Sequence, residues 1–155
     1  MKNKVGRVIN KFVSCEIKFK LLKKGAKLPS YAHSGDAGFD LYSDKSKTLR
    51  KESHDIFPLG IASEFPEGYF VSFRDRSGLA KDHGVHVLGG VVDSSYRGEW
   101  KVILANFGPK DYKVAKGERI AQGILQPAPQ AEIVKVKRLG RTQRGKKGFG
   151  STGKK

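Results

Sequence analysis

The sequence of 155 residues contains one cysteine, Cys15, so no intrachain disulfide can form and a thiolate zinc site is not expected. No apolar run approaches the roughly 20 residues that a bilayer span requires. The N-terminus is basic, but no apolar leader-like stretch follows it, so secretion is not indicated and an intracellular location is expected. No long 3.6-residue periodicity is visible. No serine sits in a nucleophile elbow. The histidines His33, His54, His83 and His86 lack the clustering of a direct metal site, and the last two, beside a strand start, read as surface residues. Acidic residues are also scarce: 15, against 31 Lys and Arg, for a net charge of +16.

That charge suggests a nucleic-acid binder until its distribution is considered. Residues 1–28 carry nine basic residues and one acid, and residues 135–155 carry nine basic residues and no acid. The body between them, residues 29–134, has thirteen basic and fourteen acidic residues, a net of −1. The excess sits on the two ends of a nearly neutral domain, where it can meet polyanions of many kinds, the phosphates of small substrates included. Nucleic-acid binding is at most a secondary role.

What the sequence has in abundance is strand signal. Ile17, Phe19 and Leu21 alternate with Glu16, Lys18 and Lys20. Short apolar or alternating runs follow at 39–42, 56–61, 69–73, 85–88, 100–107, 112–115, 119–125 and 132–136. Turn sequences such as Ser34-Gly35-Asp36, Pro66-Glu67-Gly68 and Gly108-Pro109 separate them. The pattern predicts an all-β sandwich, barrel or jelly roll with one brief helical turn near Ser77–Asp82. Residues 1–14 read as a basic extension, 15–139 as the domain, and 140–155 as a Gly-rich arm too polar to bury a core.

Four local features carry chemistry. Arg76-Ser77-Gly78 ends an apolar strand and enters a helical turn, offering a guanidinium, a hydroxyl and free amides to phosphate oxygens; an ordinary capped turn has the same form. The stretch from Gly89 through Asp93 to Trp100 predicts a hairpin across a polar turn bounded by Gly, whose glycines let a flat ligand approach and whose Asp93 could orient or deprotonate a water; Asp at a strand end also serves turns. Asp40, within Ala37-Gly38-Phe39-Asp40-Leu41-Tyr42, is expected either to face solvent or to touch Mg²⁺ through water. The tail Gly148-Phe149-Gly150-Ser151-Thr152-Gly153-Lys154 nearly spells a P-loop, but Lys155 follows and no helix stands behind the glycines. It remains an arm presenting hydroxyls, amides, cations and one aromatic ring.

The order and spacing of these features resemble the five motifs of the trimeric dUTPase family, from about residue 16 to the C-terminal end of the sequence. The motifs are similar to Ala37–Tyr42, Arg76–Ala80, Gly90–Gly98, Gly117–Gln122 and Arg144–Gly153. The resemblance implies a jelly-roll-like distorted β-barrel, a homotrimer with active sites at subunit interfaces, dUTP as substrate and Mg²⁺ as cofactor. It assigns the attacking water to Asp93 and the deoxyribose to Tyr96. Uracil falls to Gly89, Gly90, Val91, Val92 and the return strand near Lys101. The triphosphate falls to Arg76, Ser77, Gly78, Gln122, Arg144, Gly150, Ser151 and Thr152, with Phe149 stacking over the base and Asp40 reaching the metal through water. Ser95 and Lys147 depart from the commoner Asp and Gly of the family. The rival readings are a dCTP deaminase on the same fold, disfavoured because Gly78 rather than Ser follows Ser77, and a non-catalytic nucleic-acid-binding relative.

Overall fold

The structure, a computed structural model, describes residues 15–148. The expected basic extension, and Phe149, Gly150, Ser151 and Thr152 of the expected arm, lie outside the described residues.

Eleven strands and one short helix form among the described residues. They are β1 (Lys18–Leu21), β2 (Phe39–Tyr42), β3 (Lys47–Leu49), β4 (Ser53–Pro58), β5 (Ile61–Glu64), β6 (Tyr69–Arg74), α1 (Ser77–His83), β7 (Val85–Leu88), β8 (Val91–Asp93), β9 (Lys101–Asn106), β10 (Tyr112–Val114) and β11 (Arg119–Pro127). They form an antiparallel four-stranded sheet ordered β2-β11-β6-β8, a three-stranded sheet ordered β4-β9-β7, and the pairs β1-β5 and β10-β3. The architecture is all-β as expected, built of two larger sheets and two strand pairs; no ring of hydrogen bonds closes into a barrel among the described residues. No helix among them is long and apolar enough to cross a membrane.

The core follows from alternation within the strands. Phe57, Val71, Val102, Leu104, Val114 and Ile120 point inward and are wholly buried, as is Trp100. The Trp100 ring meets Phe19 edge-on at 5.2 Å and Phe73 at 5.5 Å, tying β1 and β6 to the segment before β9. Burying such rings contributes about 2–3 kcal/mol each, enough to fix the register of short strands.

Three expectations need correction. The run at 56–61 is two strands, because Gly60, with φ +67, turns the chain between β4 and β5. No strand forms at 132–136: the last strand ends at Pro127, and Ile133 and Val134 are exposed, Ile133 by 97%. An alternating pattern needs a partner edge, and a single copy supplies none there. The hairpin from β8 to β9 does not form either. β8 pairs with β6 in one sheet and β9 with β4 and β7 in another, so the two strands splay.

Candidate active site

The splay makes a cavity of about 290 Å³ lined by Phe73, Leu88, Gly90, Val91, Val92, Asp93, Tyr96, Glu99, Trp100, Lys101 and Ile103. A hairpin ladder would have filled this space with its own hydrogen bonds. The two sheets instead hold β8 and the start of β9 apart and leave a slot between them. Gly90 makes the slot possible: its φ is +93, its carbonyl accepts from Phe73 N–H at 2.7 Å, and a Cβ there would lie 2.7 Å from Phe73 Cβ. Only glycine lets β8 run this close to β6. Gly89 also has a positive φ, +67, but a Cβ there would meet nothing within 4 Å, so its opening faces outward.

The turn after β8 is held locally. Tyr96 N–H donates to Asp93 O at 3.1 Å, and Tyr96 Oη donates to Glu99 O at 3.1 Å, which lays the ring across the turn. A Cβ on Gly98 would lie 2.4 Å from that hydroxyl, so Gly98 is what lets the ring lie there. Asp93 ends β8 with its side chain exposed at the cavity. Glu99, which lines the same cavity, pairs with Lys23 Nζ at 2.8 Å, and the same ammonium reaches the buried Asp44 at 3.1 Å. These partners, Glu99 first, raise the Lys23 pKa above 10.5.

A second group assembles where β2, β11 and the turn after β6 meet. Asp40 is not solvent-facing: it is 3% exposed, roofed by side chains from two other elements. Arg76 Nε lies 3.5 Å from its Oδ1, Arg119 Nη1 donates to its Oδ2 at 3.2 Å, and Gln122 Nε2 donates to Oδ1 at 3.5 Å. Register explains the meeting. Gln122 is the partner of Asp40 on one side of β11 and of Arg74 on the other, and a bulge between Arg119 and Ala121 turns Arg119 toward the same carboxylate. Arg76 also donates to Arg119 O at 3.4 Å. Ser77 and Gly78 open α1 in the exposed first turn, where Arg76 as N-cap makes no side-chain cap bond. A Cβ on Gly78 would meet nothing within 4 Å, so the space before this turn is open to a ligand.

The structure thus brings Gly90, Val91, Val92, Asp93, Tyr96 and Lys101 together, and separately Asp40, Arg76 and Gln122 beside Ser77 and Gly78. It does not join the two groups. Along β6, Asp93 pairs with Phe70 and Gln122 with Arg74, a separation of about 13 Å at roughly 3.3 Å per residue. Arg144 reaches neither; its Nε donates to Lys147 O at 3.1 Å within an exposed turn. Arg119 is the member that sequence reading missed. Its place three residues before Gln122 was the available signal, but only the bulge puts both on one carboxylate. Glu118, its neighbour, accepts from Ala115 N–H at 2.7 Å and from the Tyr112 hydroxyl, whose pKa burial and then Glu118 push well above 10.

No group of three or more His, Cys, Asp or Glu side chains that could hold a metal occurs among the described residues. Asp40 stands alone among cations and amides. That set fits a metal carried on an anionic substrate, which needs few protein ligands, and does not fit a protein cage.

A model of the dUTPase family matches residues 24–153. The deoxyuridine 5'-triphosphate nucleotidohydrolase of Clostridium tetani is 49% identical over 140 residues, spanning 89% of this chain and 97% of the relative. The enzyme of the same name from Helicobacter pylori strain P12 is 44% identical over 140 residues, with the same coverage. Among solved structures, the Staphylococcus bacteriophage 80alpha dUTPase with dUpNHpp superposes with a TM-score of 0.82 at 26% identity, covering 89% of this chain and 98% of that one.

Proposed function

The chain belongs to the dUTPase family, and from that membership we infer that it hydrolyses dUTP to dUMP and pyrophosphate. The observation that carries the reading is the slot between β8 and β9, which is sized for a nucleoside and has a carboxylate at its mouth. Uracil enters between the splayed strands, where backbone groups of Gly90 to Val92 read its edge. The narrow walls exclude thymine's methyl group and cytosine's amino pattern. Tyr96, laid across the turn, packs under the deoxyribose and leaves no room for a 2′-hydroxyl. Steric exclusion is required there because an apolar wall alone rejects an added hydroxyl poorly.

Asp93 is the general base. Its exposed carboxylate orients a water and takes its proton as the oxygen attacks the α-phosphorus, and pyrophosphate leaves. Arg76, Ser77, Gly78 and Gln122 grip the phosphate oxygens, with Arg144, Gly150, Ser151 and Thr152 completing the clamp and Phe149 covering the base. Mg²⁺ carried on the triphosphate would supply neutralisation of phosphate charge, and Asp40, beneath Arg76 and Arg119, is the residue that would contact it through water. Catalysis here is positioning and electrostatics.

The division of the site supports a homotrimer. The slot and the Asp40 group lie apart in one copy, and Arg144 reaches neither. A site that pairs the slot of one copy with the phosphate grip of a second, closed by an arm, joins all three.

Incubation with dUTP, dCTP, dTTP and UTP in Mg²⁺, with pyrophosphate and ammonia both assayed, tests the reading. Pyrophosphate from dUTP alone is expected. Ammonia from dCTP overturns it in favour of the deaminase.

A further inference from the structure

We propose that Asp75 and His86 are a pair of positioning residues that staple the turn carrying Arg76, Ser77 and Gly78, and so set the enzyme's grip on the triphosphate. The proposal rests on reading that turn as the phosphate grip.

Asp75 lies between β6 and α1, with its carboxylate directed back across the turn. One oxygen accepts from Val87 N–H at 2.6 Å, and the other lies 2.8 Å from His86 Nδ1. Both partners are on β7, an edge strand of the sheet ordered β4-β9-β7. The Val87 amide is therefore spent on a side chain rather than on a ladder, and His86 is a half-buried partner rather than a free surface residue. Its ring rests 5.7 Å from that of Phe107, which limits its rotation. One carboxylate thus closes the segment from Asp75 to Val87 into a loop with both oxygens engaged.

The far end of α1 is independently secured. Gly84 adopts φ +66, its N–H donates to Ala80 O at 3.1 Å, and its carbonyl accepts from Phe107 N–H at 2.9 Å. The near end, which faces the open space, has no side-chain cap at Arg76. It is fastened by two carboxylates: Asp40 at the Arg76 guanidinium and Asp75 on the residue before it. Without Asp75 the backbone of Arg76 to Gly78 loses its tie to β7, while the slot, which shares β7 only through Leu88, keeps the pairing of β8 with β6 and the Phe73–Gly90 bond that shape it. The loss should therefore be selective for the triphosphate over the nucleoside.

The test compares full-length wild type with D75A, D75N, H86A and H86N, measuring affinity for dUpNHpp and for dUMP together with kcat and KM for dUTP. Asparagine at 75 keeps an acceptor for Val87 N–H and can donate to the other imidazole tautomer; asparagine at 86 places an amide N–H near the position of Nδ1. D75A and H86A are expected to weaken dUpNHpp about ten-fold, as loss of a charge-assisted hydrogen bond predicts, with dUMP affinity changed less than about two-fold. D75N and H86N should recover most of the loss. Equal weakening of both ligands, unchanged dUpNHpp binding, or H86N no better than H86A overturns the proposal. Should D75A fail to fold, the H86A and H86N pair decides alone. A wild type that binds neither ligand refutes the reading of the site itself, an outcome distinct from a wild type that binds both while the variants match it.

Discussion

Asp40→Asn separates a buried electrostatic pivot from a mere metal contact. In the wild type, one carboxylate, 3% exposed, faces Arg76 at 3.5 Å and Arg119 at 3.2 Å. The substitution keeps the shape and removes the charge, leaving two guanidiniums facing each other across a neutral amide. Removing one partner of a fully buried pair costs about 3–5 kcal/mol. Here the Arg76 and Arg119 side chains are 31% and 48% exposed, so water screens them and the expected cost falls to about 2 kcal/mol. For a chain of this size that lowers the Tm by about 4–8 °C. With Arg76 no longer held, kcat should fall about ten-fold even at saturating Mg²⁺. The assay is thermal unfolding of apo protein together with dUTP hydrolysis across a Mg²⁺ titration. An unchanged Tm with activity restored by excess Mg²⁺ would show that Asp40 acts on the metal alone, and the reasoning would fail.

Other outcomes follow from the same geometry. Asp93→Asn should bind dUpNHpp within a few-fold of wild type yet lose about 10²–10⁴ in kcat, measured by pyrophosphate release; near-normal turnover would remove the general-base assignment. Gly90→Ala places a Cβ 2.7 Å from Phe73 Cβ at φ +93, and should cost about 2 kcal/mol in urea unfolding and raise KM for dUTP. Truncation after Leu139 removes Arg144 and Phe149–Thr152 but none of the strands, so the far-UV spectrum should persist while hydrolysis is largely lost. Lys23→Met should destabilise by about 1 kcal/mol, because Glu99 and Asp44 lose a shared cation that is itself half exposed. The Lys23 pKa is raised from 10.5 in the folded state, so its contribution is complete below pH 10.5 and is lost only as pH rises through the raised value. The deficit should therefore be constant from pH 6 to 9 and shrink only in strong alkali.

Strand identity was legible where alternation and turn residues agreed, as at β2, β6, β7 and β11. The missing strand at 132–136 and the absent β8–β9 hairpin have one cause. Period-2 patterning specifies that a segment can pair, and says nothing of which edge accepts it. β8 found β6, and the segment after Pro127 found no edge in its own chain. Gly90 and Asp93, grouped in the sequence as one candidate site, still line one cavity, whichever sheets hold the two strands apart. Asp40 was harder. On β2 it points away from the Phe39 and Leu41 face, which from sequence reads as outward; a bulge on β11 and a loop after β6 bring two arginines over it. His86 and Asp75, eleven residues apart across a helix and a glycine turn, gave no signal short of the folded geometry.

The two halves of the site divide its chemistry. The slot is lined largely by glycine, apolar and aromatic residues, with its two strands held by pairing in separate sheets, an arrangement suited to selection by shape. The Asp40 group holds two guanidiniums against one carboxylate, next to the uncapped first turn of α1. It is thus a local positive centre in a body whose net charge is −1. A single centre doing both jobs would place strong cations beside the base, where they would favour any anionic nucleotide over the correct one. Separation removes that conflict but leaves each copy with two incomplete halves about 13 Å apart along β6. On the proposed function, association of copies then becomes part of the catalytic requirement, since it would set a shape-selective slot opposite a charge-bearing grip.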